Sequence, residues 1–211
     1  MNTWIRRDFD SAGLTHYPVG PYLAAIQRRF GGVVLLCIDV SGSMSGKPLA
    51  SAVRGAKTFA EEAVAAYYEV GVTLWHHAIA ASIAPTRDLA PVFGLLDAAA
   101  ASGGNEINPT LDAAHDLLRA RDPRLDRVVV IFGDGDLGGK REQALAKAAA
   151  MRADDIRIIT VGLGDAAARA LDEISTESHD RPRTATADTI DTEIAGAAGG
   201  LRRHRAAESG R

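Results

Sequence analysis

Cysteine is almost absent from this 211-residue chain. Cys37 stands alone, so no internal disulfide can form and the sequence reads as that of a protein kept in a reducing compartment. A basic excess is missing too. With 24 Lys and Arg against 27 Asp and Glu, the formal net charge is -3, and the basic face that phosphate-contacting domains carry has no obvious source. No apolar run approaches the roughly 20 residues that span a bilayer. The first ten residues, MNTWIRRDFD, have no apolar stretch behind their arginines, which argues against a secretory signal. The expectation is a cytoplasmic protein. There is also no internal repeat and no low-complexity linker, which leaves solenoids and tethered modules without support.

What is present is core material. The chain is 46% hydrophobic, enough for one full domain. Residues 1–31 read as an N-terminal extension with a short helix in GPYLAAIQRRF, 32–200 as the domain, and 201–211 as a disordered basic tail carrying Arg202, Arg203 and Arg205. Within the domain, the apolar run at 33–38 predicts a buried strand. Pro48 and the spacing of Leu49, Val53, Ala56, Ala60, Ala63 and Tyr67 predict a helix over 48–69. VGVTLWHHA and AASIAP read as a hairpin. Helices follow near 89–101, from Asn108 as cap, and over 140–153, with strands at 128–132 and in IRIITVGLG. A short helix, a weak strand at TATA and a last helix at about 188–199 complete the pattern. Strands separated by helical crossovers imply a Rossmann-like, doubly wound α/β fold, mainly parallel with one antiparallel edge strand and helices on both faces.

Chemistry concentrates in DVSGSMSGKP, residues 39–48, delivered at the carboxyl end of the first strand, where open α/β sheets place their ligands. A nucleotide loop needs four residues between its glycine and Gly-Lys, followed by Ser or Thr. Here three intervene and Pro48 follows Lys47. Asp39, together with Gly133, Asp134, Gly135 and Asp136 after a later strand, resembles the magnesium-dependent haloacid-dehalogenase-type phosphatases. Their second carboxylate is replaced by Ser41, whose hydroxyl is no general acid near neutral pH. A divalent cation uses the whole loop. Magnesium takes about six oxygen ligands, and one carboxylate and two hydroxyls at alternate positions can aim at a single point.

DVSGS at 39–43, a loop with paired glycines (SGGNEIN) and an Asp-Gly loop after a later strand resemble, in that order, the von Willebrand factor type A domain. The resemblance implies a metal-ion-dependent adhesion site holding Mg2+ (or Mn2+ or Ca2+) through Asp39, Ser41, Ser43 and Asp134, with Asn105 as the ligand that the second loop offers; Glu106 next to it, Asp136 in the turn after a strand and His76 are candidate rim residues by their position. It also implies a vacancy filled by an Asp or Glu of a protein partner, hence binding rather than catalysis. Small intracellular relatives act beside chaperone-like ATPases or in stress responses. Asn105 stands where the family usually has Thr, and Gly133 replaces a commoner Thr. The phosphatase and a degenerate, metal-free scaffold stay open as alternatives. His76 and His77, adjacent on a strand, are expected to point to opposite faces. Trp75 and Trp4 read as packing residues, and Asp165 as a turn former.

Overall fold

The computed structural model describes residues 31–135, 137, 140–177 and 182–208. Residues 1–30 of the expected 1–31 extension, with its helix and Trp4, lie outside them, as does Asp136.

The element order is β1 (Gly32–Asp39), a 3-10 turn (Gly42–Met44), α1 (Lys47–Ala65), β2 (Tyr68–Trp75), β3 (Ile79–Thr86), α2 (Leu89–Asp97) and α3 (Asn108–Arg119). It continues with β4 (Asp126–Gly133), α4 (Arg141–Ala153), β5 (Ile156–Leu163), α5 (Asp165–Asp172), β6 (Thr184–Ala185) and α6 (Ile190–Glu208). The six strands form one sheet in the order β3-β2-β1-β4-β5-β6. Every pairing is parallel except that of β2 with β3. This is the Rossmann-like α/β sheet with a single antiparallel edge.

Two apolar layers sandwich it. On one face Val34, Leu36 and Ile38 of β1 pack with Phe59 of α1, Leu96 of α2 and Ile194 of α6. On the other, Val33, Leu35 and Cys37 meet Leu111 of α3, Ala148 of α4 and Leu171 of α5. Because alternate residues of β1 feed opposite layers, the strand is apolar from Gly32 to Ile38 and buried along its whole length.

Three boundaries differ from the sequence pattern, each for a local reason. The first long helix stops at Ala65 and not at 69, because Tyr67 adopts a left-handed φ of 69° and the chain must reverse at once to enter β2. Arg87 lies over the Tyr67 ring, 5.6 Å from its centroid, which gives that turn a packing partner. Asn108 is not a cap. Ile107 is the capping residue, and Asn108 is the first helical residue, buried, with its amide turned onto Glu106. Finally, the last helix does not end at 199 before a disordered tail. It runs to Glu208, and its apolar stripe continues past 199, with Leu201 fully buried beside Ile190, Ile194, Ala197 and Ala198.

Strand order reverses between β1 and β4, whose register pairs Ile38 with Phe132. The loops that leave these two strands therefore emerge side by side, at the position where a doubly wound sheet opens a crevice.

Candidate metal centre

Asp39 is the last residue of β1 and is fully buried. Its Oδ1 accepts a hydrogen bond from the Ser41 backbone N–H at 2.8 Å, a tight turn that sets the next residues over the strand end. The hydroxyls of Ser41 and Ser43 lie 3.1 Å apart. Oδ2 of Asp39 receives the Asn105 side-chain amide at 3.3 Å and the Asp134 backbone N–H at 3.4 Å. All three loops thus converge on one carboxylate. The first is also stitched to the second by backbone bonds, Gly42 N–H to Gly103 carbonyl at 3.1 Å and Ser102 N–H to Val40 carbonyl at 2.8 Å.

Among the described residues no Lys, Arg or His forms an ion pair with Asp39. Burial, reinforced by the nearby Asp134 charge and opposed by the bonds from Ser41, pushes its carboxyl up to about 6. A buried carboxylate without a counter-charge, surrounded by hydroxyl, amide and carboxylate oxygens, fits a hard divalent cation. Among the described residues no three His, Cys, Asp or Glu side chains cluster as a metal site. The arrangement here is of another type, with hydroxyls beside two carboxylates.

Gly135 makes room for Asn105. A Cβ at Gly135 would lie 1.8 Å from the Asn105 Nδ2, and the atom it meets is the free end of a side chain. Gly135→Ala is therefore expected to leave the fold intact and expel the Asn105 amide from Asp39. The check is the Asn105 side-chain amide resonance, which should move, against a melting temperature changed by less than about 1 kcal/mol equivalent. At Gly133 a Cβ would come 3.2 Å from Asp39 Oδ2 and 3.2 Å from the Trp75 ring, a tight fit for any larger residue. Trp75 itself is buried core, as its sequence context implies.

The remaining candidates are placed differently from expectation. His76 and His77 do not point to opposite faces. They follow the end of β2, and their rings stack at 4.3 Å with a 12° interplanar angle. The regular strand alternation no longer applies in that turn. His76 uses Nδ1 to accept from Ala78 and its carbonyl to accept from Glu106. His77 Nδ1 accepts from Gly104 at 3.4 Å, and Gly103, with φ of 75°, has no space for a Cβ beside it. The pair therefore braces the loop of Asn105 from behind. Glu106 is likewise occupied, by Asn108 and Lys140, and these partners hold its carboxyl below the ordinary range even against some burial. Sequence reasoning missed Lys140 and Gly135. Gly135 carried a signal, since a glycine between two aspartates often marks a close approach, whereas nothing in the sequence pairs Lys140 with Glu106.

A family-wide sequence profile described as the von Willebrand factor type A domain matches residues 34–136, a span that contains all three loops. The chain carries a von Willebrand factor type A domain. The domain is a protein-interaction fold, and solved structures agree with it. The domain of the type V pili tip protein Mfa5 from Porphyromonas gingivalis superposes with a TM-score of 0.72 at 12% identity, over 83% of this chain and 96% of that one. The pilus adhesin SpaC from Lactobacillus rhamnosus GG gives 0.69 at 13%, over 82% and 30%. Proximal thread matrix protein 1 from the mussel byssus, whose structure has a zinc-occupied MIDAS motif, gives 0.64 at 15%, over 81% and 46%. This von Willebrand factor type A domain thus spans less than half of the last two chains, and at these identities the likeness is one of fold. No curated protein matches the chain in sequence. Among the described residues no helix is long and apolar enough to cross a membrane.

Proposed function

We propose that this domain binds a protein partner through a divalent cation, magnesium or manganese ahead of calcium, held by Asp39, Ser41, Ser43, Asn105 and Asp134. The observation that carries the reading is the buried Asp39 carboxylate, which has no basic partner and receives all three loops. When bound, the cation supplies an electrophilic position for an Asp or Glu of the partner. The chain's own residues do the rest. Asp39 and Asp134 provide the charge, and Ser41 and Ser43 provide neutral oxygens that leave the ion attractive to a further carboxylate. The zinc at the MIDAS motif of the mussel protein supports a cation at the equivalent loops. A cytoplasmic setting, beside an ATPase or in a stress response, is part of the same proposal. Ser41, two residues after Asp39, is no general acid, which favours binding over phosphate-ester hydrolysis.

A second reading has one observation in its favour. The Asn105 amide donates to Asp39 at 3.3 Å, and a neutral donor there can take the place of a cation in a metal-free scaffold. Thermal unfolding separates the two. At about 100 times its dissociation constant a cation stabilises the fold by about 2.7 kcal/mol, or about 5 °C in a chain of this size. Millimolar magnesium or manganese is expected to raise the melting temperature by that amount, and Asp39→Ala to abolish the rise. A flat response to both ions and to chelator in the unmutated protein would leave the metal-free scaffold standing.

A further inference from the structure

The residue that follows Asn105 is fastened on three sides. The Glu106 backbone N–H donates to the His76 carbonyl at 3.1 Å. Its Oε1 accepts from the Asn108 side-chain amide at 2.7 Å and the Asn108 backbone N–H at 3.2 Å. Its Oε2 pairs with Lys140 Nζ at 3.0 Å. His76 belongs to the turn after β2, Asn108 opens α3, and Lys140 stands immediately before α4, so one residue joins three elements. Lys140 lies in the connection from Asp134 and Gly135 to α4, and Gly135 is the backbone against which Asn105 rests.

We propose that Glu106 and Lys140 form a clasp closing the Asn105 loop onto the Asp134 loop, and that Glu106 is a positioning residue for the cation. The inference rests on the metal reading above. By fixing the peptide after Asn105, the clasp keeps that side chain between Asp39 and Gly135. It also gives the acidic residue of SGGNEIN a role. Its charge is matched by Lys140, so it adds no net negative charge to the ion and leaves the ion's attraction for a partner carboxylate intact.

The two halves of the clasp differ in strength. Asn108 is buried, 4% exposed, and its Oδ1 already has no partner among the described residues. Removing Glu106 Oε1 strands the amide donors as well, a costly loss. The Lys140 half is more exposed, with 58% of the lysine side chain open to solvent, and such pairs are weak and salt-sensitive.

The test is a Mn2+ titration of the full chain followed by water-proton relaxation, with amide exchange at 103–106 measured separately in chelator. Lys140→Met and Glu106→Gln, which keeps an acceptor for Asn108, should each weaken Mn2+ binding about two- to fivefold. Glu106→Ala should weaken it about tenfold or more, the scale of other groups that orient metal ligands. In chelator, Glu106→Ala should speed exchange at 103–106 severalfold and leave β1 and β4 unchanged. If the unmutated protein binds Mn2+ and Glu106→Ala binds it equally well, the clasp is overturned while the metal reading stands. Faster exchange with unaltered affinity overturns the positioning role in the same way. A parent protein that takes up no Mn2+ removes both.

Discussion

In chelator at pH 7, Asp39→Asn is expected to melt higher than the parent protein, and in magnesium it is expected to lose the parent's gain. The reasoning starts from burial. The folded carboxyl titrates near 6 against an ordinary value of 3.8, so between these values the folded chain binds more protons than the unfolded one. Stability contributed by this group is then greatest below about pH 4 and is lost as pH rises through 6. At pH 7 the accumulated cost is on the order of 3 kcal/mol, or about 5 °C once weakened hydrogen bonds are discounted. The amide retains an acceptor for the Ser41 N–H and carries no charge, so the cost disappears. Other carboxyls slope the opposite way: Glu106, Asp122 and Asp188 are held low by their partners. The diagnostic quantity is therefore the difference between variant and parent across pH 4 to 7, read by calorimetry. A parent that is as stable as Asp39→Asn at pH 7 without metal would remove the idea that this carboxylate is kept at a cost for the sake of a ligand.

Gly162→Ala should be the most damaging Gly→Ala change among the described residues. Gly162 sits near the end of β5, where α5 turns back over the strand. A Cβ there would lie 2.2 Å from the Ala168 backbone nitrogen, 2.3 Å from its Cα and 2.6 Å from the Ala167 carbonyl carbon. All three are main-chain atoms and cannot swing aside. The strand cannot yield either, since it is paired with β4 on one side and β6 on the other, through Gly133 and Thr184. Overpacking against fixed backbone costs about 3 kcal/mol or more, a fall of about 10 °C in a domain of this length. Gly196→Ala in α6 is the control. Nothing lies within 4 Å of its added methyl, and removing a glycine from a helix gains about 0.5–1 kcal/mol. Urea midpoints that place the two variants together would refute this account of the β5–α5 contact.

The sequence made the central sheet legible because β1 and β4 carry continuous aliphatic runs and β5 is dominated by Ile and Val, each followed by a loop of small or acidic residues. The three loops of the candidate site could be read for the same reason, since each follows a strand or precedes a helix with a proline near its start. What could not be read depends on contacts between distant segments. Tyr67 ends α1 through a left-handed turn that its residue type disfavours. Asn108 gives up a capping role because Glu106 is within reach, and the apolar stripe of α6 continues past 199 to the buried Leu201. The histidine pair shows the limit of a periodicity rule: alternation describes residues in a strand and fails one step past its end. Asn105 is legible as a ligand type, but its rest against Gly135 and its bond to Asp39, 66 residues away in sequence, are products of the sheet topology.

The margin of the sheet raises a separate matter. β3 has one neighbour, β2, and from Ile79 to Thr86 it carries no charged side chain, the kind of boundary on which strands of other molecules readily stack. Its ladder is interrupted twice, opposite Val70–Val72 and Leu74–Trp75. Such irregularities give the edge an uneven outline on which a straight strand pairs poorly, a device that stands where many sheets rely on lysine.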